Sequence, residues 1–305
     1  GAGYPHIGEG EAMSSEVFEQ DRVAVITGAA MGIGFAAAKR FAADGMRICM
    51  ADIDGDELEA AAAEVAGIAP DGDASVLAME INVARFGEVQ RLADAAFERF
   101  GEVGLLMNNA ATRVAGGTAE DLDEWHRTMD VNFWGVVHGV RAFLPRMSGQ
   151  DAPSAIVNTG SKQGITNPPG NVIYNVTKSA VKTYTEQLQH ELRNTEGCQV
   201  TAHLLVPGFT TTGKREHKPG AWLPEQVVER MEESVSRGDF YIICPDNEVT
   251  SEMDRKRILW GRGRHHREPA APVALASRFR RGLRQVALRA VEEALVRCQL
   301  PVLDG

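Results

Sequence analysis

Cysteine is scarce. Cys49, Cys198, Cys244 and Cys298 are the only four, widely scattered and without a CxxC pair. That spacing excludes a disulfide framework and supplies no metal-ligand cluster, so the thiols read as buried or incidental in a reducing compartment and no metal is expected. No apolar stretch approaches the ~18–20 residues needed to span a bilayer. The first twelve residues, rich in Gly and Glu, lack the apolar run of a signal peptide. Residues 1–20 therefore read as a disordered extension or cloning remnant, and a cytoplasmic protein is expected. Positive charge is short as well: 32 Lys and Arg against 42 Asp and Glu give a formal net charge of -10. That balance argues against nucleic acid or an anionic membrane as the main partner. What remains is ordinary globular composition, 44% hydrophobic and 24% charged over 305 residues, enough for one large α/β domain or two smaller ones.

Arg22 to Thr27 is a short run rich in β-branched residues. It leads into Gly28-Ala-Ala-Met-Gly32-Ile-Gly34 and then into an alanine-rich helical stretch ending at Asp44. Strand, glycine turn and helix in that order present helix N-terminal amides to a pyrophosphate. Three glycines alone are weak evidence, since turns are full of glycine; the context adds weight. Arg47 to Ala51 reads as a second strand ending at Asp52, eighteen residues beyond Gly34. An acidic residue there accepts hydrogen bonds from an adenosine ribose and repels a 2′-phosphate. Met31 offers no positive charge for such a phosphate. Both features favour NAD over NADP; the bland alternative is that Asp52 caps the next helix.

The alternation continues with a helix over Asp54–Ala66, a strand over Ser75–Ile81, a helix over Ala84–Phe100 and a strand over Val103–Met107. Asn108-Asn109-Ala110-Ala111 closes that strand, where ligands sit in open α/β sheets. A long helix over Asp121–Arg146 contains Asn132 and precedes a strand over Ala155–Thr159. Val200–Val206 and Phe240–Cys244 complete about seven strands. The pattern predicts a single doubly wound Rossmann-type domain over 21–260, a parallel sheet with helices on both faces.

Tyr174 and Lys178 are four residues apart in a stretch beginning at Ser161. On a helix capped by Asn171, that spacing puts both on one face, at the edge of an expected buried stripe of Ile173, Val176, Ala180, Val181, Tyr184, Leu188 and Leu192. A free phenol titrates near ~10, too high for acid–base work at neutral pH. Bringing it to roughly 7 requires about 4 kcal/mol, within reach of one close cation plus another positive neighbour. Ser161 is placed to hydrogen-bond the oxygen whose proton Tyr174 handles. A Tyr-x-x-x-Lys pair on its own is usually an ordinary surface pair.

Taken together, these residues resemble the short-chain dehydrogenase/reductase family over roughly Asp21 to Pro245. Thr27-Gly28-x-x-x-Gly32-Ile-Gly34 looks like its cofactor turn and Asn108-Asn109-Ala110 like its motif after strand four. Asn132, Ser161, Tyr174 and Lys178 match its catalytic tetrad, and Pro207-Gly208 with Thr210 to Thr212 its nicotinamide-side segment. The resemblance implies an NAD-binding set of Gly28, Met31, Gly32, Ile33, Gly34, Asp52, Ile53, Asn82, Val83, Asn109, Ala110, Tyr174, Lys178, Pro207, Gly208, Thr210 and Thr212. It implies hydride transfer between NAD and a secondary alcohol or ketone. Tyr174 takes the hydroxyl proton, Ser161 holds the substrate oxygen, Lys178 lowers the phenol and contacts the ribose, and Asn132 holds a water. Two residues depart from the pattern. Asn82 stands where relatives often have Asp beside the adenine, and Ala111 replaces a frequent glycine.

Residues 209–238 read as a substrate lid with a helix over Pro224–Ser236, and Trp222, Leu223, Ile165, Pro168 and Pro169 as candidate pocket lining. Tyr241-Ile-Ile-Cys-Pro with Glu248-Val249 is similar to the bacterial branch that oxidises benzylic alcohols of aryl ethers, which implies a bulky or aromatic substrate. The tail over 261–305 changes character, with nine arginines and no lysine. It lacks the aromatic interleaving of a nucleic-acid binder and the further ligands that His265 and His266 would need. A helix is expected over 278–298. A frameshifted ending is a further expectation, since relatives resembling Phe240–Trp260 continue differently. The rival functions are an NADPH-preferring reductase, which Asp52 disfavours, and a silent dinucleotide sensor, which the tetrad disfavours. A homodimer or homotetramer through the long helices is what the family implies.

Overall fold

Seven short runs of β-branched and aliphatic residues form strands, and the Ala-, Leu- and Glu-rich segments between them form helices. The computed structural model describes residues 15–256 except 114–115, 119–120, 214–215, 247–248 and 255. In chain order the elements are β1 (Val23–Thr27), α1 (Gly32–Ala43), β2 (Arg47–Asp52), α2 (Gly55–Ala66), β3 (Val76–Glu80), α3 (Phe86–Phe100) and β4 (Leu105–Asn108). They continue with α4 (Leu122–Met129), α5 (Gly135–Met147), β5 (Ser154–Thr159), α6 (Gln163–Thr166), α7 (Val172–Arg193), β6 (Val200–Val206), α8 (Pro224–Ser236) and β7 (Tyr241–Ile243). The arginine-rich tail, its expected helix and its reading as a frameshifted ending lie outside the described residues.

The strands form one sheet in the order β3-β2-β1-β4-β5-β6-β7. Every pairing is parallel. This is the doubly wound Rossmann-type architecture. Strand order reverses between β1 and β4, which opens a crevice at the carboxyl ends of the strands. Thr27, Asp52, Asn108 and Thr159 are the last residues of β1, β2, β4 and β5 and stand along that edge.

Alternation along each strand sends side chains to two faces. Ala24, Ile26, Ile48, Met50 and Met107 pack with Phe41 of α1 and Val227, Met231 and Val235 of α8. Val23, Val25, Cys49, Leu106 and Ile156 pack with Leu92 of α3, Phe143 of α5 and Leu188 of α7. Each fully buried Phe or Leu stabilises the fold by about 1.5–3 kcal/mol relative to exposure.

Four local features differ from expectation. Asp121–Arg146 is not one regular helix, because α4 and α5 are joined by a π-turn over Asp130–Trp134. A π-turn adds a residue to one turn, which hydrophobic periodicity does not reveal. The segment after Ser161 folds into the short α6 instead of remaining a loop. Order also begins earlier than residue 21. Ser15–Phe18 forms a 3-10 turn whose Val17 is buried and whose Phe18 ring lies 5.3 Å from that of Phe41. Finally, α8, inside the expected lid, packs into the body of the domain, with Val227, Val228, Met231 and Val235 buried against α1 and the sheet.

Candidate active site

Close backbone packing explains the glycines after β1. Gly28 and Gly32 hold φ of 67° and 60°, the left-handed region that strains any β-carbon. Gly34 is needed for another reason: a β-carbon there would stand 2.2 Å from the Gly28 carbonyl oxygen. Met31 at the N-cap makes no side-chain capping bond. First-turn N–H groups of a helix lack intrahelical acceptors, so this end of α1 favours an anion. Met31 is exposed above the turn and Ile33 is buried. Thr212 and Gly213 fold back over it. A β-carbon on Gly32 would lie 3.2 Å from Thr212 Cβ, and one on Gly213 the same 3.2 Å from Met31 Sδ.

Asn109 fastens β4 to this turn. Its Nδ2 donates to the carbonyls of Thr27 and Gly28, each at 3.1 Å. The N–H groups of Asn109 and Ala110 donate to Thr27 Oγ1 at 3.0 and 3.2 Å. Asp52 sits on the other side, its Oδ2 accepting the Ala30 N–H at 3.0 Å and its Oδ1 the Ile53 N–H at 2.8 Å. It does not cap α2. Asp54 does, accepting the Glu57 N–H at 3.2 Å, which removes the capping alternative for Asp52. Ile53 is exposed beside it. Asn82 Oδ1 accepts the Ala84 N–H at 3.0 Å and so closes a local turn. Val83 is buried, and its carbonyl lies 2.8 Å from His138 Nδ1.

A buried amide ladder places α7. Asn108 Nδ2 donates to Asn158 Oδ1 at 2.9 Å, and Asn158 Nδ2 donates to Thr185 Oγ1 at 3.1 Å. Held there, Lys178 is almost wholly buried and donates from Nζ to the Thr159 carbonyl at 2.7 Å. Burial pushes its ammonium down to about 8. Thr159 Oγ1 in turn lies 3.4 Å from Asn109 Oδ1. A continuous polar path thus runs from Lys178 through Thr159 and Asn109 to Gly28, joining the Tyr–Lys helix to the glycine turn.

The Tyr174 ring lies one turn before Lys178, 5.7 Å from its Nζ. The expected lowering of the phenol is corrected by the structure. Burial raises the Tyr174 pKa as the largest cause, partly opposed by the Ser161 hydrogen bond and the positive charge of Arg113. Lys178 does not supply the lowering because its own charge is desolvated and its Nζ is directed to a carbonyl. Ser161 Oγ accepts the Gln163 N–H at 3.1 Å, which leaves the hydroxyl proton for the phenol oxygen.

The second positive neighbour is therefore Arg113, a residue with no sequence signal. Its guanidinium lies 5.7 Å from the Tyr174 ring centre, and its Nε and Nη2 donate to Asn171 Oδ1 at 3.2 and 3.1 Å. That also explains why Asn171, at the N-cap position of α7, caps nothing. Asn132 is buried in the π-turn. Its Nδ2 donates to the Thr112 carbonyl at 2.9 Å and to Thr177 Oγ1 at 3.1 Å, while its Oδ1 accepts the Thr112 N–H at 2.7 Å. The side chain holds Thr112 against α7.

On the far side, the Pro207 carbonyl accepts the Lys162 N–H at 3.2 Å, and Thr210 Oγ1 donates to the Gly208 carbonyl at 3.4 Å. Of the apolar candidates, Ile165 and Trp222 pack against core clusters and Leu223 is exposed. Among the described residues no three His, Cys, Asp or Glu side chains are grouped to hold a metal, and no helix is long and apolar enough to cross a membrane. Burial drives the thiols of Cys49 and Cys244 up to about 12, which leaves them unreactive at neutral pH.

The profile of the short chain dehydrogenases matches residues 22–220. The chain belongs to the short-chain dehydrogenase/reductase family. Its similarity to 1-deoxy-11-beta-hydroxypentalenate dehydrogenase of Streptomyces avermitilis is 37% identity over 196 residues, 63% of this chain and 70% of that one. A short-chain dehydrogenase/reductase from Burkholderia phymatum, solved in complex with NAD, is 33% identical with a TM-score of 0.73, covering 84% of this chain and 99% of that one. An alcohol dehydrogenase from the archaeon Thermococcus sibiricus, complexed with 5-hydroxy-NADP, is 27% identical with a TM-score of 0.61 over 70% and 89% of the two chains. As a short-chain dehydrogenase the protein is an oxidoreductase of the nicotinamide-dinucleotide-binding type. Two elements of this dehydrogenase escaped the sequence reading besides Arg113. The amide ladder joins residues distant in sequence, and Lys162 was hidden by the more legible Ser161 beside it.

Proposed function

We propose that the protein oxidises a secondary alcohol, or reduces the matching ketone, with NAD as partner. The observation that carries this reading is the polar path from Lys178 to Gly28, which sets Tyr174 and the glycine turn in one crevice. The glycine turn fits a dinucleotide on its own terms: it leads into the start of α1, which Met31 leaves without a side-chain cap and which therefore favours a phosphate. Gly28, Met31, Gly32 and Thr212 would hold the pyrophosphate side, Asp52 the adenosine ribose, and Lys178 the nicotinamide ribose. Bound NAD supplies a hydride acceptor.

The chain's own groups handle the proton. Ser161 donates to the oxygen that gains charge and holds the alcohol beside Tyr174. Tyr174 as phenolate takes the hydroxyl proton in oxidation and returns it in reduction. Arg113 stabilises the phenolate from outside the cleft. Replacing it by Gln moves the acid limb of a pH–rate profile for oxidation upward, because a cation that lowers the phenol is lost. Since Arg113 is exposed, added salt should shrink the shift. A profile that does not move removes Arg113 from the account.

Support for an alcohol comes from the name of the Streptomyces relative, a hydroxypentalenate dehydrogenase. The bulky or aromatic substrate remains our reading of the Tyr241–Val249 stretch. Preference for NAD rests on Asp52 beside Ala30 and on the absence of a cation at Met31. Asp52→Ser should raise kcat/KM with NADP about 100-fold relative to NAD, by removing charge repulsion at the ribose. An unchanged ratio of the two cofactors assigns selectivity elsewhere.

A further inference from the structure

Lys162 follows Ser161 directly but reaches quite different partners. Its ammonium lies 3.2 Å from Asp246 Oδ2 and 2.7 Å from Asp254 Oδ2. All three side chains are buried, the lysine 11% exposed and each aspartate 5%. Charges at that depth are strongly disfavoured unless they hold one another. Asp246 also accepts the N–H groups of Phe209 at 3.3 Å and Val249 at 2.8 Å. The lysine stem crosses Gly208 so closely that a β-carbon there would stand 3.1 Å from Cε and from Nζ.

The backbone of Lys162 is tied as firmly. Its N–H donates to the Pro207 carbonyl at 3.2 Å, and its carbonyl accepts the N–H groups of Ile165 at 3.0 Å and Thr166 at 2.9 Å. The α6 turn so formed packs on α7 at Lys178, where a β-carbon on Gly164 would be 2.6 Å from the lysine carbonyl carbon. One residue therefore joins the segment carrying Ser161, the root of the lid at Gly208–Phe209, and the side chains of Asp246 and Asp254. Resting on the reading of Ser161 as the hydroxyl that serves Tyr174, we propose that Lys162 is a positioning residue. Its ion pairs with Asp246 and Asp254 hold Ser161 and the lid root in register, and make those two aspartates part of the working site. A buried ion pair adds little net stability over apolar packing; here it fixes direction.

The test uses Asp254→Asn and Lys162→Gln in the full chain, each alone and combined with Ser161→Ala. Either variant suffices should the other fail to fold. Amide hydrogen exchange needs no substrate and should show faster exchange over residues 160–166 and 206–210, with α1 and α3 unchanged. In steady-state oxidation of 1-phenylethanol with NAD, D254N should lower kcat about 30-fold in the presence of Ser161, as expected of a small displacement. In the S161A background the same change should cost less than about threefold, since the group being positioned is already gone. Equal losses in both backgrounds, or unchanged exchange over 160–166, overturn the proposal. If S161A alone turns over like the unaltered protein, or 1-phenylethanol is not oxidised, the hydride-transfer reading is what suffers, and exchange alone then decides for or against the clasp.

Discussion

Tyr174→Phe should lower turnover about 10³- to 10⁴-fold, the contribution of a positioned acid–base group, while the affinity for NADH stays within about twofold. The reasoning is local. The ring packs on α7 beside Lys178 and under Arg113, so Phe fills the same space and keeps the ring contacts. Only the oxygen leaves, and with it the hydrogen bond to Ser161. Dinucleotide contacts assigned to the glycine turn and Asp52 do not involve that oxygen. Fluorescence titration with NADH and steady-state rates with one alcohol measure the two halves. A variant that loses NADH affinity as fully as it loses rate would place Tyr174 in binding and not in proton transfer.

Lys178→Met should separate activity from stability in opposite directions. Burial holds the lysine near 8 when folded, against an ordinary value of 10.5. That difference corresponds to a cost on the order of 3 kcal/mol for keeping the charge inside at neutral pH. Below about 8 both states carry the proton and the cost is fully present. Between about 8 and 10.5 the unfolded chain binds more protons than the folded one, so this group's contribution to stability rises with pH. Methionine removes the buried charge but leaves the Thr159 carbonyl without its donor, a loss of about 1–3 kcal/mol. The net expectation is a gain of about 1 kcal/mol at pH 7 that turns into a loss of about 1–2 kcal/mol as pH approaches 10, where the charge cost has mostly gone and the missing hydrogen bond remains. Turnover should fall at least about 100-fold, because the nicotinamide ribose loses its contact and the hydride its aim. Urea midpoints at the two pH values decide it. A variant less stable at pH 7 than at pH 10, relative to the unaltered protein, would contradict the depressed lysine.

Much of this architecture was legible from the chain because the decisive signals are local. Short β-branched runs alternating with Ala-rich helices give the parallel sheet, and Gly28, Gly32 and Gly34 mark the one turn where backbone meets backbone. What was not legible depends on residues brought together from afar. Asn171 looks like a helix cap in sequence, and only the arrival of Arg113 from the β4 loop draws its side chain elsewhere. Asp52 and Asp54 are both credible caps for α2, and the distinction is a matter of which oxygen reaches Glu57. The phenol expectation treated Lys178 as a free cation. Its depth beneath α7, fixed by the Asn108–Asn158–Thr185 ladder, inverts the balance between attraction and desolvation. The π-turn at Asp130–Trp134 is silent in periodicity, and it is where Asn132 sits.

The central claim is that Tyr174 removes a proton from an alcohol whose carbinol hydrogen leaves as hydride to a dinucleotide held at the glycine turn. The most direct measurement follows near-ultraviolet absorbance of reduced nicotinamide with 1-phenylethanol and related aryl secondary alcohols, each also deuterated at the carbinol carbon, supplied with NAD or NADP. The account predicts growth of the reduced band with NAD in preference to NADP, slowed by deuterium and abolished by Y174F. A band that grows undiminished in Y174F, or fails to appear with every alcohol and ketone of the panel despite tight NADH binding, would contradict it.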